Sequence, residues 1–208
     1  MLTTEFIAAS QPDSRRLMVM LHGLGDSIDG FRALPAALRL PWLNYLLVQA
    51  PDPYYGGYSW YDYPGDSGPG VRRSRDLLFE LLDAQRSRGY PSEQTILGGF
   101  SQGCLMTMEV GCRYPHRLAG LVGISGYIHQ PEVLVRELSP VAREQRILLT
   151  HGAYDPLIPL AVTRAQVKLL ETAGLNITWR EFPKAHTIAG EAEFAVIREF
   201  ITAAYQPA

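Results

Sequence analysis

Gly99-Phe100-Ser101-Gln102-Gly103 sets a serine between two glycines where an apolar run, Thr95-Ile96-Leu97, gives way to a helical pattern. In that pattern Leu105, Met108 and Cys112 recur at i, i+3 and i+7, so the stretch reads as a strand, a sharp turn and a helix with the serine at the apex. The G-x-S-x-G spacing has a steric cause. A serine there adopts a strained backbone, and glycines on either side lack the Cβ atoms that would collide as strand and helix close around it. The hydroxyl then points out of the sheet's carboxyl edge. The N–H of Gln102, in the first helical turn, has no intrahelical acceptor and is free to bind a developing oxyanion.

A serine hydroxyl becomes a useful nucleophile only when a base removes its proton, and histidine suits that task near neutral pH. The imidazole in turn needs a carboxylate to fix its tautomer. In sheets wound from alternating strands and helices these groups arrive in the order Ser, Asp or Glu, His, each just beyond a strand. After Ser101 the only aspartate is Asp155, and after Asp155 the only histidine is His186. Both follow strand-like runs. Glu181 lies within the last of these and is the weaker acid candidate. His151 precedes Asp155 and reads as a brace for its loop, while His116 and His129 have no strand-end context.

The elements that would position these residues can be taken in order. An apolar run at 17–21 has the form of a strand covered on both faces, and it enters His22-Gly23-Leu24-Gly25-Asp26-Ser27, where the Leu24 amide is best placed as a second oxyanion donor. His22 reads as structural, and the loop lacks the lysine and hydroxyl ending of a phosphate-binding loop. A helix is expected over 28–40 with Pro35 as a kink, then a strand over 43–48. The aromatic stretch 54–63 reads as a loop that offers material either for a pocket wall or for a cover over the core, with Trp60 the best candidate for substrate contact and Tyr61 beside it. A helix at 71–88 precedes the Ser101 strand. Later strands are expected at 118–124, 147–150 and 177–182, with helices at 131–138, 159–173 and near the C-terminus. The alternation favours a mostly parallel, twisted sheet with helices on both faces, in one domain over 1–208.

Composition narrows the function classes. A net charge of −2 with interspersed charges offers no nucleic-acid surface. The N-terminus lacks a basic and then apolar leader, and no run approaches the ~18 apolar residues of a membrane span, which points to the cytoplasm. Cys104 and Cys112, eight helical steps or about 12 Å apart, are too distant for a disulfide and have no metal-ligand spacing. Neither a cofactor nor a metal is expected.

Taken together, Leu21-His22-Gly23-Leu24-Gly25-Asp26-Ser27, Gly98-Gly99-Phe100-Ser101-Gln102-Gly103, His151-Gly152 through Asp155-Pro156-Leu157-Ile158-Pro159, and His186 resemble the acyl-protein thioesterase and carboxylesterase family, the phospholipase/carboxylesterase group of the α/β-hydrolase fold. Tyr58-Ser59-Trp60-Tyr61-Asp62 is similar to that family's short aromatic motif. The resemblance implies nucleophile Ser101, acid Asp155, base His186, oxyanion amides of Leu24 and Gln102, and a small-molecule or acylated-protein ester or thioester as substrate. It implies no separate cap domain and is compatible with a homodimer. Cys104, Ala185 and the tyrosine-rich 54–63 stretch depart from the family pattern and bear on pocket shape. Lipase or peptidase chemistry on the same residues, and a non-catalytic binding module on the same scaffold, are the alternatives.

Overall fold

The computed structural model describes residues 1–205; the last three residues of the expected domain lie outside the described residues. In chain order the strands are β1 (Thr4–Ile7), β2 (Leu17–Leu21), β3 (Asn44–Val48), β4 (Asp52–Tyr54), β5 (Gly57–Ser59), β6 (Thr95–Phe100), β7 (Gly120–Ile124), β8 (Arg146–Gly152) and β9 (Asn176–Phe182). The helices are α1 (Leu34–Leu38), α2 (Ser67–Ser87), α3 (Gln102–Gly111), α4 (Pro131–Arg136), α5 (Leu160–Thr172) and α6 (Glu191–Ala203). Seven strands form one sheet in the order β1-β3-β2-β6-β7-β8-β9, parallel throughout except for the antiparallel edge strand β1.

The continuous apolar run of β2 has the physical cause expected of it. Leu17, Val19 and Leu21 join one core with Leu78, Leu82, Leu105, Met108, Leu134 and Leu170, from α2, α3, α4 and α5. Met18 and Met20 point the other way and pack with Leu34, Leu38, Ile197, Phe200 and Ile201, from α1 and α6. Side chains alternate across a strand, so only a strand covered on both faces can be apolar at every position. Strand order reverses direction around β2, whose neighbours are β3 on one side and β6 on the other. Loops leaving β2 and β6 therefore diverge at the carboxyl edge and open a crevice there, the usual place for a ligand in such sheets.

Three local expectations are corrected. Residues 28–40 do not form one kinked helix: a 3-10 turn (Ile28–Phe31), capped by Ser27 Oγ accepting from Asp29 N, precedes a short α1. Pro35 lies in the first turn of α1, where its missing N–H costs nothing, so it begins the helix and does not kink it. Helix α2 starts at Ser67, four residues earlier than expected at 71, because Asp66 caps it through Gly68 N at 3.0 Å. The aromatic stretch is not merely a loop. Residues 52–59 make the β4–β5 hairpin, whose two-residue turn places Tyr55 (φ 43) and Gly56 (φ 90) both at positive φ. Among the described residues, no helix is long and apolar enough to cross a membrane.

Candidate active site

Ser101 stands between β6 and α3 with φ 55 and ψ −114, outside the regions a serine ordinarily occupies. The two glycines of its motif explain how that is tolerated. A Cβ on Gly99 would overlap the carbonyl of Gly103, and a Cβ on Gly103 would overlap the carbonyl of Leu21. Both contacts are with backbone, which cannot swing aside. The serine's own N–H donates to the carbonyl of Ile124 at 2.9 Å, tying the turn to the end of β7.

His186 and Asp155 come to this turn from the loops beyond β9 and β8. Nδ1 of His186 lies 2.7 Å from Oδ2 of Asp155, and Nε2 lies 2.9 Å from Oγ of Ser101. A carboxylate can only accept, so the ring hydrogen sits on Nδ1 and Nε2 is left to accept from the serine hydroxyl. The second oxygen of Asp155, Oδ1, accepts from the amides of Leu157 at 2.9 Å and Ile158 at 3.0 Å. Burial pushes the Asp155 carboxyl up, but the Ile158 amide, His186 and the Leu157 amide outweigh it and hold the group below the usual carboxylate range. The row is thus built to move a proton from a hydroxyl to an imidazole while a fixed anion balances the charge.

The two residues expected to supply oxyanion donors, Leu24 and Gln102, both border this row. Neither the Leu24 nor the Gln102 N–H has an acceptor among the described residues, and both residues line the same cleft as Ser101 and His186. The Leu24 loop is held in place by the β4–β5 hairpin: Gly25 N donates to Tyr58 O and Tyr58 N to Asp26 O, both at 2.9 Å. Gly57 is a glycine because a Cβ there would strike the carbonyl of Gly25. His22 is structural, as expected. Its Nδ1 donates to the carbonyl of Gly23 at 2.7 Å and its Nε2 accepts from Ala50 N at 3.0 Å. Burial lowers its pKa and favours this neutral form, although the Gly23 carbonyl and Asp26 oppose the shift.

Trp60 is a correction. Its ring is fully buried and lines no part of the cleft. The indole Nε1 donates to the carbonyl of His22 at 2.9 Å, while its backbone N–H donates to Oε1 of the Gln102 side chain at 3.0 Å. Trp60 therefore braces the loop that begins at His22, and the adjacent Tyr61 is the one that lines the cleft, its hydroxyl 3.2 Å from that of Tyr127.

The cleft has a volume of about 500 Å³. Tyr63, from the aromatic stretch expected to supply a wall, lines it, and sequence reasoning missed four further walls: Phe100, Tyr127, Leu157 and Val162. Tyr127 follows Ser125-Gly126 at the carboxyl end of β7, and Leu157 sits on the Asp155 loop, so their strand-end positions were the available signal. Tyr63, Leu157 and Val162 are 59%, 70% and 48% exposed, which gives the mouth an apolar rim. None of the lining residues is a lysine or arginine. Cys104 is buried with its thiol pushed up to about 12, which holds it in the unreactive thiol form.

The chain is similar to known thioesterases and esterases. An acyl-protein thioesterase 1 of Schizosaccharomyces pombe is 33% identical, the match covering 87% of this chain and 88% of that one. A protein described as a probable carboxylesterase of Oryza sativa subsp. japonica is 27% identical over 91% of this chain and 78% of its own. The crystal structure of esterase PE8 superposes with a TM-score of 0.87 at 27% identity, covering 97% and 98% of the two chains, and it shares the α/β-hydrolase fold. The sequence pattern of the phospholipase/carboxylesterase family matches residues 2–205, and the chain belongs to that family.

Proposed function

We propose that Ser101, His186 and Asp155 are the nucleophile, base and acid of this chain, with the Leu24 and Gln102 amides as its oxyanion donors. The chain is an enzyme, a serine hydrolase of carboxylic esters or acyl thioesters, in keeping with its thioesterase and carboxylesterase relatives. The observation that carries the assignment of residues is the hydrogen-bonded row itself, 2.9 Å from hydroxyl to imidazole and 2.7 Å from imidazole to carboxylate.

In this reading Ser101 Oγ attacks the acyl carbonyl as His186 Nε2 takes its proton. The tetrahedral oxyanion is held by the two backbone N–H groups. Its collapse breaks the bond to the leaving alkoxide or thiolate, which receives the proton from His186, and leaves an acyl-serine. Water, deprotonated by the same nitrogen, then releases the carboxylic acid and restores the hydroxyl. The apolar mouth formed by Tyr63, Leu157 and Val162 suits the hydrocarbon part of an acyl group, whether carried by a small molecule or by a protein. The two buried free thiols, Cys104 and Cys112, fit a reducing compartment such as the cytoplasm.

Ser101→Ala should lower kcat on p-nitrophenyl esters by a factor on the order of 10⁶. A folded variant that keeps a tenth or more of parental activity would remove Ser101 from the mechanism.

A further inference from the structure

Behind the acid of this row lies a second imidazole that the reaction as written does not use. His151 is the next-to-last residue of β8, and it is fully buried. Its Nε2 is 3.0 Å from the carbonyl oxygen of Ile158. Because a carbonyl only accepts, Nε2 carries the hydrogen. The same nitrogen is 3.7 Å from Oδ2 of Asp155, the oxygen that bonds His186. The amide of Ile158 meanwhile donates to the other oxygen, Oδ1. One residue is thus held by both of its backbone polar groups, the Ile158 carbonyl by His151 and the Ile158 N–H by Asp155.

The rest of the ring is poorly rewarded. It stacks on Trp179 with centroids 6.0 Å apart, and its Nδ1 is buried with no hydrogen-bond partner among the described residues. An unsatisfied buried nitrogen is costly, and an apolar side chain of similar size would fill the space without that cost. The compensation must lie in what Nε2 does. Other charges face this loop, but they are committed elsewhere: Lys184 is paired with Glu193 at 2.6 and 2.7 Å, and Glu181 with Arg164.

We propose that His151 is a positioning residue for the acid: by holding the backbone of Ile158 it fixes the Asp155 carboxylate so that Oδ2 faces His186 Nδ1, which keeps the base in the tautomer that accepts from Ser101. This rests on the assignment of Ser101, Asp155 and His186 made above.

His151→Phe keeps a ring against Trp179, and His151→Met keeps apolar bulk; both remove the donor. His151→Gln places an amide nitrogen close to where Nε2 was. Either donor-free variant should lower kcat about 10- to 100-fold with KM for a short p-nitrophenyl ester unchanged within about twofold. The acid limb of kcat/KM should also move to lower pH, since an imidazolium that loses its carboxylate partner is less favoured. His151→Gln should recover most of kcat and the parental acid limb. If the donor-free variants fold and keep kcat within about threefold of the parent, or if glutamine fails as badly as phenylalanine with the acid limb unmoved, His151 only packs. A measurement on the unsubstituted enzyme needs no variant to fold: with ring-¹⁵N histidine, the slowly exchanging His151 proton should be coupled to Nε2, and finding it on Nδ1 overturns the clamp. Ser101→Ala assayed alongside separates the two failures. Activity surviving there removes the nucleophile and with it any need for a positioned acid, whereas activity lost there with His151 variants unaffected removes only the role of His151.

Discussion

Replacing Glu193 by Gln tests how the loop that carries His186 is fastened. Lys184, two residues before His186, places its Nζ 2.6 and 2.7 Å from the two carboxylate oxygens of Glu193 in the first turn of α6, and both side chains are buried. Ala189 N also donates to Glu193 at 2.6 Å. Glutamine keeps the shape but removes the charge, leaving a buried ammonium without its counterion and one carbonyl for two donors. Removing one half of a buried pair costs about 3–5 kcal/mol. For a chain of this length that corresponds to a fall in Tm of roughly 6–20 °C.

The sign of the pH dependence follows from Lys184. Burial holds its pKa below the ordinary value, and the hydrogen bond and charge of Glu193 work against that lowering. With Glu193 neutralised, the folded-state pKa falls further while the unfolded value stays near ~10.4. Between the two the unfolded chain binds more protons, so stability rises with pH across that window. Urea unfolding followed by tryptophan fluorescence at neutral pH and near pH 10 should therefore show a deficit that shrinks as pH rises. Replacing both partners with methionine should restore stability to within about 1 kcal/mol of the parent. A single variant within that margin at neutral pH, or a deficit that grows with pH, would refute the reasoning.

Two further substitutions probe the scaffold of the site. Trp60→Phe removes the indole bond to the His22 carbonyl and should cost about 1–3 kcal/mol in urea unfolding, with KM across an acyl-length series unchanged because the ring does not face the cleft; a changed chain-length preference would return Trp60 to the substrate. Gly103→Ala sets a methyl against the Leu21 carbonyl and should destabilise by about 2–3 kcal/mol or more, read as a lowered thermal midpoint. A parental midpoint would contradict the steric account of the second glycine.

What was legible in the sequence had local causes. Strands β2 and β3 are covered on both faces and show themselves as apolar runs, unbroken in β2 and interrupted in β3 only by its first residue, Asn44, and the glycines around Ser101 mark backbone contacts no other residue permits. Asp155 and His186 followed from chain order, because topology fixes the sequence in which loops reach one sheet edge. Strand β1 left no such mark. As a four-residue edge strand with only alternate positions partly covered, it lacks an apolar run. The choice between Trp60 and Tyr61 was equally hidden: neighbouring residues point opposite ways, and aromatic composition does not say which faces the cleft. The contacts that hold Trp60 inward come from residues distant in the chain, the His22 carbonyl and the Gln102 side chain. The clamp on Ile158 was readable only as a brace, since nothing in His151-Gly152-Ala153-Tyr154-Asp155 states which ring nitrogen meets which carbonyl.

The most direct test is covalent capture of the nucleophile. A fluorophosphonate probe incubated with the native enzyme should add once per chain, with the adduct on the peptide containing Ser101 and none on the Ser101→Ala protein. Folded enzyme that takes up no probe, or carries it on a different serine, would contradict the assignment of the site.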